Sequence, residues 1–300
     1  MRLDDFDPNI DVEDQRGQGG GFGGFGGGGG GLIFGLLPLV FSRFGCGGVA
    51  IMLAVLFFFG GGLGMLGGGG QLSAPTAQVG QQRGGTDTVS SCRLNAQSLA
   101  ACNAFSSADK TWAALLGPRF EAPKLVFYAR NGQSGCGAAQ SAMGPFYCPR
   151  DQGIYLDTTF FDELANRFGA KGDFAQDYVI AHEFGHHIQN LLGTSDQVAS
   201  IQRRGSAAEG NRASVKLELQ ADCYAGVWAA QNKDRLDPGD LEEGMTAAHA
   251  IGDDTLQQEA QGRVVPDSFT HGTSAQRMAW LRKGMETGDP NQCDTFSGAL

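Results

Sequence analysis

The chain has 300 residues, and 32 acidic against 22 basic side chains leave a net charge of -10. That balance argues against a general role on nucleic acid, which needs a basic surface. Part of the negative charge belongs to the N-terminal tail, so the sign says little about a cleft elsewhere.

Residues 1–31 open with Asp4, Asp5, Asp7, Asp11, Glu13 and Asp14 and continue as a glycine-rich run from Gly17 to Gly31, with Phe22 and Phe25 interspersed. No hydrophobic core can be built from such a stretch, so a disordered tail is expected. Residues 32–66 are apolar apart from Arg43, and Gly45 to Leu66 is long enough to cross a bilayer, which takes about 20 residues. The late start, the acidic residues ahead of it and Pro75 after Ala74 make a poor cleavable signal. One uncleaved N-terminal transmembrane helix is therefore expected, followed by a flexible Gly/Gln/Thr linker over 67–90. Arg2, Arg16 and Arg43 precede the end of the span, and the next basic residue is Arg83. That asymmetry predicts a single-pass protein of the cell membrane, N-terminus cytoplasmic and the bulk on the periplasmic side.

Cys46 lies in the apolar segment, and Cys92, Cys102, Cys136, Cys148, Cys223 and Cys293 follow it. An even number outside the membrane suits an oxidising compartment. Sequence-near pairing gives Cys92–Cys102, Cys136–Cys148 and Cys223–Cys293, one of about 15 pairings that six cysteines allow; buried free thiols are the alternative. No Cys-x-x-Cys pair exists to suggest cysteine ligands.

Residues 91–295 read as one domain. A helix is expected from Asn95 to Leu116, broken near Ser106, then a strand over Lys124 to Ala129 and a cysteine-bearing loop from Asn131 to Pro149. A strand at Gly153 to Leu156 precedes helices at Phe160 to Phe168, Asp173 to Leu192 and Asp196 to Arg203. Later helices are expected at Val215 to Trp228, Leu241 to Ala250, Thr255 to Ala260 and Ser274 to Met285. One helix, a few strands and then mostly helix argue an α+β domain, mainly helical with a small sheet. Gly153-Ile-Tyr-Leu, lying shortly before the helix Asp173 to Leu192, is expected to be an edge strand able to pair with an extended peptide.

His182-Glu183-Phe184-Gly185-His186 carries the chemistry. On a helix, residues four apart stand about 40° apart around the axis, so His182 and His186 can offer two imidazole nitrogens to one metal. Glu183 can reach a water on that metal. Phe174, Tyr178, Val179, Ile188, Leu191 and Leu192 recur at helical period, so the helix is buried on one side. Gly193 is a helix stop. Downstream, Glu218 and Asp222 share a helix face. Glu218 is the best placed third ligand, with Asp222 the alternative. As a non-ligand, Asp222 suits accepting the second ring N–H of a ligating histidine. His271, in a turn before the last helix, is either an oxyanion stabiliser or a structural histidine. His187 points about 100° from His186 and is expected to bond structure; His249 has no supporting context.

These residues, with Tyr147-Cys-Pro-Arg-Asp, Ile154-Tyr-Leu-Asp, Tyr178-Val-Ile-Ala-His-Glu-Phe-Gly-His-His-Ile-Gln, Glu218-Leu-Gln-Ala-Asp-Cys-Tyr-Ala-Gly-Val-Trp and Thr270-His-Gly-Thr-Ser-Ala-Gln-Arg, resemble the bacterial neutral zinc metallopeptidases. The likeness runs from the N-terminus to about residue 295 and is dense from Gly144 onward. More widely the chain is similar to gluzincins. That resemblance implies a zincin-like domain holding one Zn2+ on His182, His186 and Glu218, with Glu183 as base, Asp222 behind the ligands and His271 as a transition-state histidine. It departs from the similar membrane-embedded peptidases, whose site several transmembrane helices surround. The implied activity is that of an endopeptidase on a peptide or protein substrate. A membrane-anchored binding or assembly factor without turnover, and a zinc hydrolase of another amide, are the other readings. An intact Glu183 favours the enzyme, because a structural zinc needs no base.

Overall fold

The computed structural model describes residues 1–17 and 87–298. The expected anchor over 32–66, the glycine-rich part of the tail from 18 to 31 and the linker up to 86 lie outside the described residues. Among the described residues no helix is long and apolar enough to cross a membrane.

Residues 1–17 correct the expectation of a disordered tail. Val12–Asp14 forms strand β1, and Met1, Ile10 and Val12 are buried in the main core. Helices α1 (Thr88–Cys92) and α2 (Ala96–Leu116) follow. Strand β2 (Lys124–Phe127) leads to the hairpin β3 (Asn131–Ser134) and β4 (Gly137–Gln140), then to β5 (Phe146–Cys148) and β6 (Gly153–Leu156). The rest is helical: α3 (Thr159–Asn166), α4 (Asp173–Leu191), α5 (Thr194–Arg204), α6 (Ala207–Gln231), α7 (Asp240–Ala250), α8 (Asp253–Gln261) and α9 (Ser274–Thr287). The domain is α+β and mainly helical, with a small sheet, as its element order implied.

The main sheet runs β1-β2-β6-β5, with β1, β2 and β6 parallel and β5 antiparallel to β6. This rules out the expected substrate-pairing role for Gly153–Leu156. Its four residues are buried, and both of its edges are taken, by β2 and by β5. Among the described residues, the edge on that side belongs to Phe146–Cys148. The hairpin lies in the stretch expected as loop; its residues are mostly exposed and polar, and it carries little of the apolar alternation that marks a strand.

α2 is continuous where a break was expected near Ser106. Ser106 and its neighbour Ser107 are satisfied by long-range partners: Asp7 N–H donates to Ser106 Oγ at 2.8 Å and Trp228 Nε1–H to Ser107 Oγ at 3.1 Å. Asn95 caps the helix by accepting from Ser98 N–H. α4 ends where Gly193 takes φ 81, the left-handed conformation glycine adopts without a Cβ clash. α6 begins eight residues before the expected Val215, at a reciprocal cap in which Ser206 and Glu209 each bond the other's backbone N–H. The three disulfides are Cys92–Cys102, Cys136–Cys148 and Cys223–Cys293, the sequence-near set.

α4 runs through the centre of the domain and packs against α6, α2 and α7. Its approach to α6 is close at Gly185, where a Cβ would stand 3.0 Å from the Ala221 carbonyl oxygen. A larger residue there would push the two helices apart, so the glycine inside the His-Glu-Phe-Gly-His stretch sets the distance between histidines and Glu218.

Candidate metal centre

His182 and His186 face one way from α4, and their rings meet edge to face at 4.8 Å between centroids. Glu218 reaches them from α6: its Oε2 lies 3.2 Å from His182 Nε2 and its Oε1 3.4 Å from His186 Nε2. All three donor atoms fall within 4.8 Å of one another. Two zinc bonds of about 2.0–2.2 Å at the tetrahedral angle would hold their donor atoms about 3.3–3.6 Å apart. The set therefore has the spacing, the neutral-nitrogen-plus-carboxylate chemistry and the partial burial that a zinc ion needs.

The remaining ring nitrogens decide which atom faces the centre. Asp222 is fully buried, and its Oδ1 lies 2.8 Å from His182 Nδ1. A carboxylate can only accept, so Nδ1 carries the proton and Nε2 is left for a metal. Asp222 is itself fixed: Arg277 donates to both of its oxygens at 2.9 and 2.8 Å, and Tyr178 O–H donates to Oδ1 at 2.6 Å. With both oxygens engaged by these donors, Asp222 stands behind His182 and outside the donor triad.

His186 is oriented by amides alone. Backbone carbonyls can only accept, so Gln220 presents its NH2 to Cys293 O at 3.0 Å and its carbonyl to Gln189, whose own NH2 also meets Leu217 O at 2.7 Å. Gln189 must then turn Oε1 toward His186 Nδ1, 2.8 Å away, and that nitrogen must donate. A single hydrogen-bond direction thus runs from His186 to the Cys293 backbone and leaves Nε2 toward the centre.

The charges follow. Burial works against a charged His182, but the Asp222 carboxylate and the contact with Glu218 raise its pKa to about 9 in the metal-free protein. Burial likewise opposes charge on His186, and Glu218 raises it. Burial would raise Glu218, yet the two imidazoles hold it well below the ordinary carboxylate range. Burial also opposes Asp222, which the Arg277 charge and then His182 hold low.

Glu183 lines the same cleft, and no protein hydrogen bond among the described residues claims its carboxylate. His271 lies on the cleft wall, half-exposed, with Nδ1 3.1 Å from Asp253 Oδ1; the Asp253 bond raises its pKa against the opposing effect of burial. Asp253 also accepts the backbone N–H groups of Thr270, His271 and Gly272, so it fixes the whole turn. His187 faces away as expected: Nε2 donates to Glu121 O at 2.6 Å, and Tyr147 O–H donates to Nδ1 at 3.1 Å. His249 is exposed and outside the site.

Arg277, Gln189, Tyr178 and Asp253 were not assigned roles from sequence. Gln189 had a signal, because it sits three residues after His186 on the same helix face. Arg277 and Tyr178 are distant in sequence from Asp222, and nothing local couples them. The cleft has a volume of about 670 Å3, with Met143, Phe146, Phe160, Phe168, Val198 and Leu217 on its walls and Glu163, Arg167 and Gln202 among the polar groups.

The sequence profile described as "Putative neutral zinc metallopeptidase" matches residues 1–296. An Escherichia coli (strain K12) protein, "Uncharacterized protein YpfJ", is 56% identical over 187 residues, which are 62% of this chain and 65% of that relative. The match thus spans slightly less than two thirds of the relative's length. A Mycobacterium tuberculosis (strain H37Rv) protein, "Uncharacterized protein Rv2575", is 42% identical over 241 residues, 75% of this chain and 78% of that relative. No solved structure matches the chain. With its histidine pair, Glu218 and Glu183 gathered in one cleft, the chain belongs to the neutral zinc metallopeptidase family that this profile defines.

Proposed function

We propose that this chain is a membrane-attached, zinc-dependent endopeptidase. One observation carries the proposal: the Nε2 atoms of His182 and His186 and the Glu218 carboxylate converge in a cleft where Glu183 is close by and unclaimed. Zinc bound there would act as a Lewis acid and lower the pKa of a water toward about 7. His182, His186 and Glu218 would hold it. Asp222 and Gln189 keep the two imidazoles in the tautomer that presents Nε2. Glu183 takes the proton of the attacking water and returns it to the leaving amine. His271, braced by Asp253, has one ring nitrogen left to donate to the oxygen that gains charge.

The substrate is a peptide or protein segment in extended form. Phe146–Cys148 offers the free strand edge beside the cleft, and main-chain pairing there would leave side chains to the apolar walls. The apolar segment 32–66 attaches the protein to a membrane, and three disulfides favour an oxidising, extracytoplasmic location.

The test uses the full chain and its Glu183→Gln variant, both zinc-loaded, incubated with a diverse peptide mixture with and without a chelator. New termini read by mass spectrometry should appear only with the unaltered chain and vanish with chelator. Equal silence from both, with one zinc bound in each, would defeat the peptidase assignment and favour a binding role.

A further inference from the structure

Residues 1–17 are an integral part of the catalytic domain. β1 pairs parallel with β2 in the register Val12↔Leu125, Glu13↔Val126, Asp14↔Phe127. Leu125 N–H donates to Asp11 O at 2.9 Å and Gln15 N–H to Phe127 O at 2.7 Å. Further up the arm, Arg2 N–H donates to Arg235 O at 2.9 Å, and Asn103 Nδ2 donates to Leu3 O at 2.6 Å. The Met1 ammonium lies 2.8 Å from Asp173 and 3.1 Å from Asp240.

The two points where the described chain is interrupted are also tied together. Arg16, beside Gly17, donates to Ser91 O at 2.8 Å and Ser98 Oγ at 2.6 Å, and its guanidinium lies 4.4 Å over the Phe127 ring. Thr88, beside Asp87, donates to Ile10 O at 3.3 Å. The chain therefore leaves one folded body at residue 17 and rejoins the same body at residue 87.

A single membrane crossing between those points would put the arm and the domain on opposite sides of a hydrocarbon layer about 30 Å thick. Strand pairing and buried apolar contacts cannot be made across it. The arginine asymmetry that suggests such a crossing is also weak here. Arg16 is paired with Asp14, and Arg2 lies 3.3 Å from Asp237 on the body itself.

We propose that residues 1–17 and 87–298 occupy one compartment, on the extracytoplasmic side of the membrane, so that no bilayer separates the arm from the domain. The three disulfides all lie in this body and select the oxidising side. The N-terminal arm is thereby translocated with the domain that it completes. This rests on the membrane reading of residues 32–66 and is independent of the catalytic one.

The test reads both flanks in intact spheroplasts. In a Cys46→Ser background of the full chain, Asp4→Cys probes the arm and Lys171→Cys the domain, both at exposed positions. Each is treated with a membrane-impermeant maleimide before and after lysis. Both should label fully before lysis. Labelling of Lys171→Cys alone, with Asp4→Cys reacting only after lysis, would establish a single crossing and overturn the proposal. Protection of both until lysis would overturn the compartment. A second measurement needs no substitution. Carbodiimide coupling of the native chain in its membrane should join Glu13 to Lys124, whose charged atoms lie 3.1 Å apart. The Lys124–Asp151 pair, at 3.7 Å within the body, is the internal control. Recovery of the control link without the Glu13 link would overturn the proposal. Alkaline carbonate extraction reads membrane attachment separately; release of the chain would remove the membrane reading while leaving the shared compartment to the labels.

Discussion

Each histidine of the candidate triad is oriented by a residue outside that triad. Replacing the Gln189 acceptor with an apolar group, Gln189→Leu, frees the His186 ring to turn and to change tautomer. Losses of metal affinity from such changes are about 10–100-fold. Chelator competition should show a weakening of that order. Gln189→Glu, which keeps an accepting oxygen for Nδ1, should recover part of it. Equal affinity in Gln189→Leu would remove Gln189 from the site. Glu183→Gln separates base from ligand. It should bind zinc as the unaltered chain does and lose turnover by a factor of about 10²–10⁴, the range of general acid–base catalysis. Loss of zinc would instead place Glu183 among the ligands. The His271–Asp253 pair predicts a pH effect of definite sign. The Asp253 bond raises the folded pKa of His271 above its ordinary value. Its stabilising contribution is therefore fully present below the unfolded pKa of about 6.5 and fades as pH rises through the folded value. Asp253→Asn should move the His271 titration downward in ring-proton NMR; an upward move or none would contradict the pairing.

At the scale of elements, the site depends on how closely helices approach. Gly185 lets α4 meet α6, and Gly226 on α6 faces Gly284 on α9. A Cβ on Gly226 would collide with the Leu281 carbonyl, and one on Gly284 with the Cys223 carbonyl. This second crossing carries Arg277 to Asp222. Gly226→Ala gains a little helix propensity but must separate two backbones, and overpacking of this kind costs about 1–3 kcal/mol. Thermal unfolding should show a net loss, and an unchanged or raised Tm would show that the crossing has slack. The helices themselves were legible: α4 ends at Leu191 against an expected Leu192, because apolar residues recur at its period and Gly193 stops it. The start of α6 was not, because Ala207 to Ser214 has little apolar periodicity and its signal, the Ser206–Glu209 cap, is short.

At the scale of the molecule, the folded body is interrupted in sequence and continuous in space. Burying a valine or isoleucine side chain contributes about 1.5–3 kcal/mol, and the arm buries both Ile10 and Val12. Against total stabilities of about 5–15 kcal/mol, that is a large share. Deleting residues 1–17 should therefore abolish cooperative unfolding or lower its midpoint by many degrees. A fragment beginning after the apolar segment that melts like the full chain would show the arm to be dispensable. The same inference changes how the protein should be prepared: a soluble fragment without the arm lacks one strand of its sheet.

The sequence by itself determined which residues make up the candidate site and where most of the helices run. Spacing of four places His182 and His186 on one face and Glu218 and Asp222 on another, and this follows from the helical repeat alone. Tertiary structure decided what depends on distant partners. It gave Asp222 to Arg277 and Tyr178, turned Gln189 toward His186, placed Gly153–Leu156 inside the sheet and made Phe146–Cys148 its edge. It also made a strand of three residues, Val12–Asp14, out of an acidic tail. Local composition gave that strand too few apolar side chains to announce itself, and its order comes from hydrogen bonds offered by β2, more than a hundred residues away along the chain.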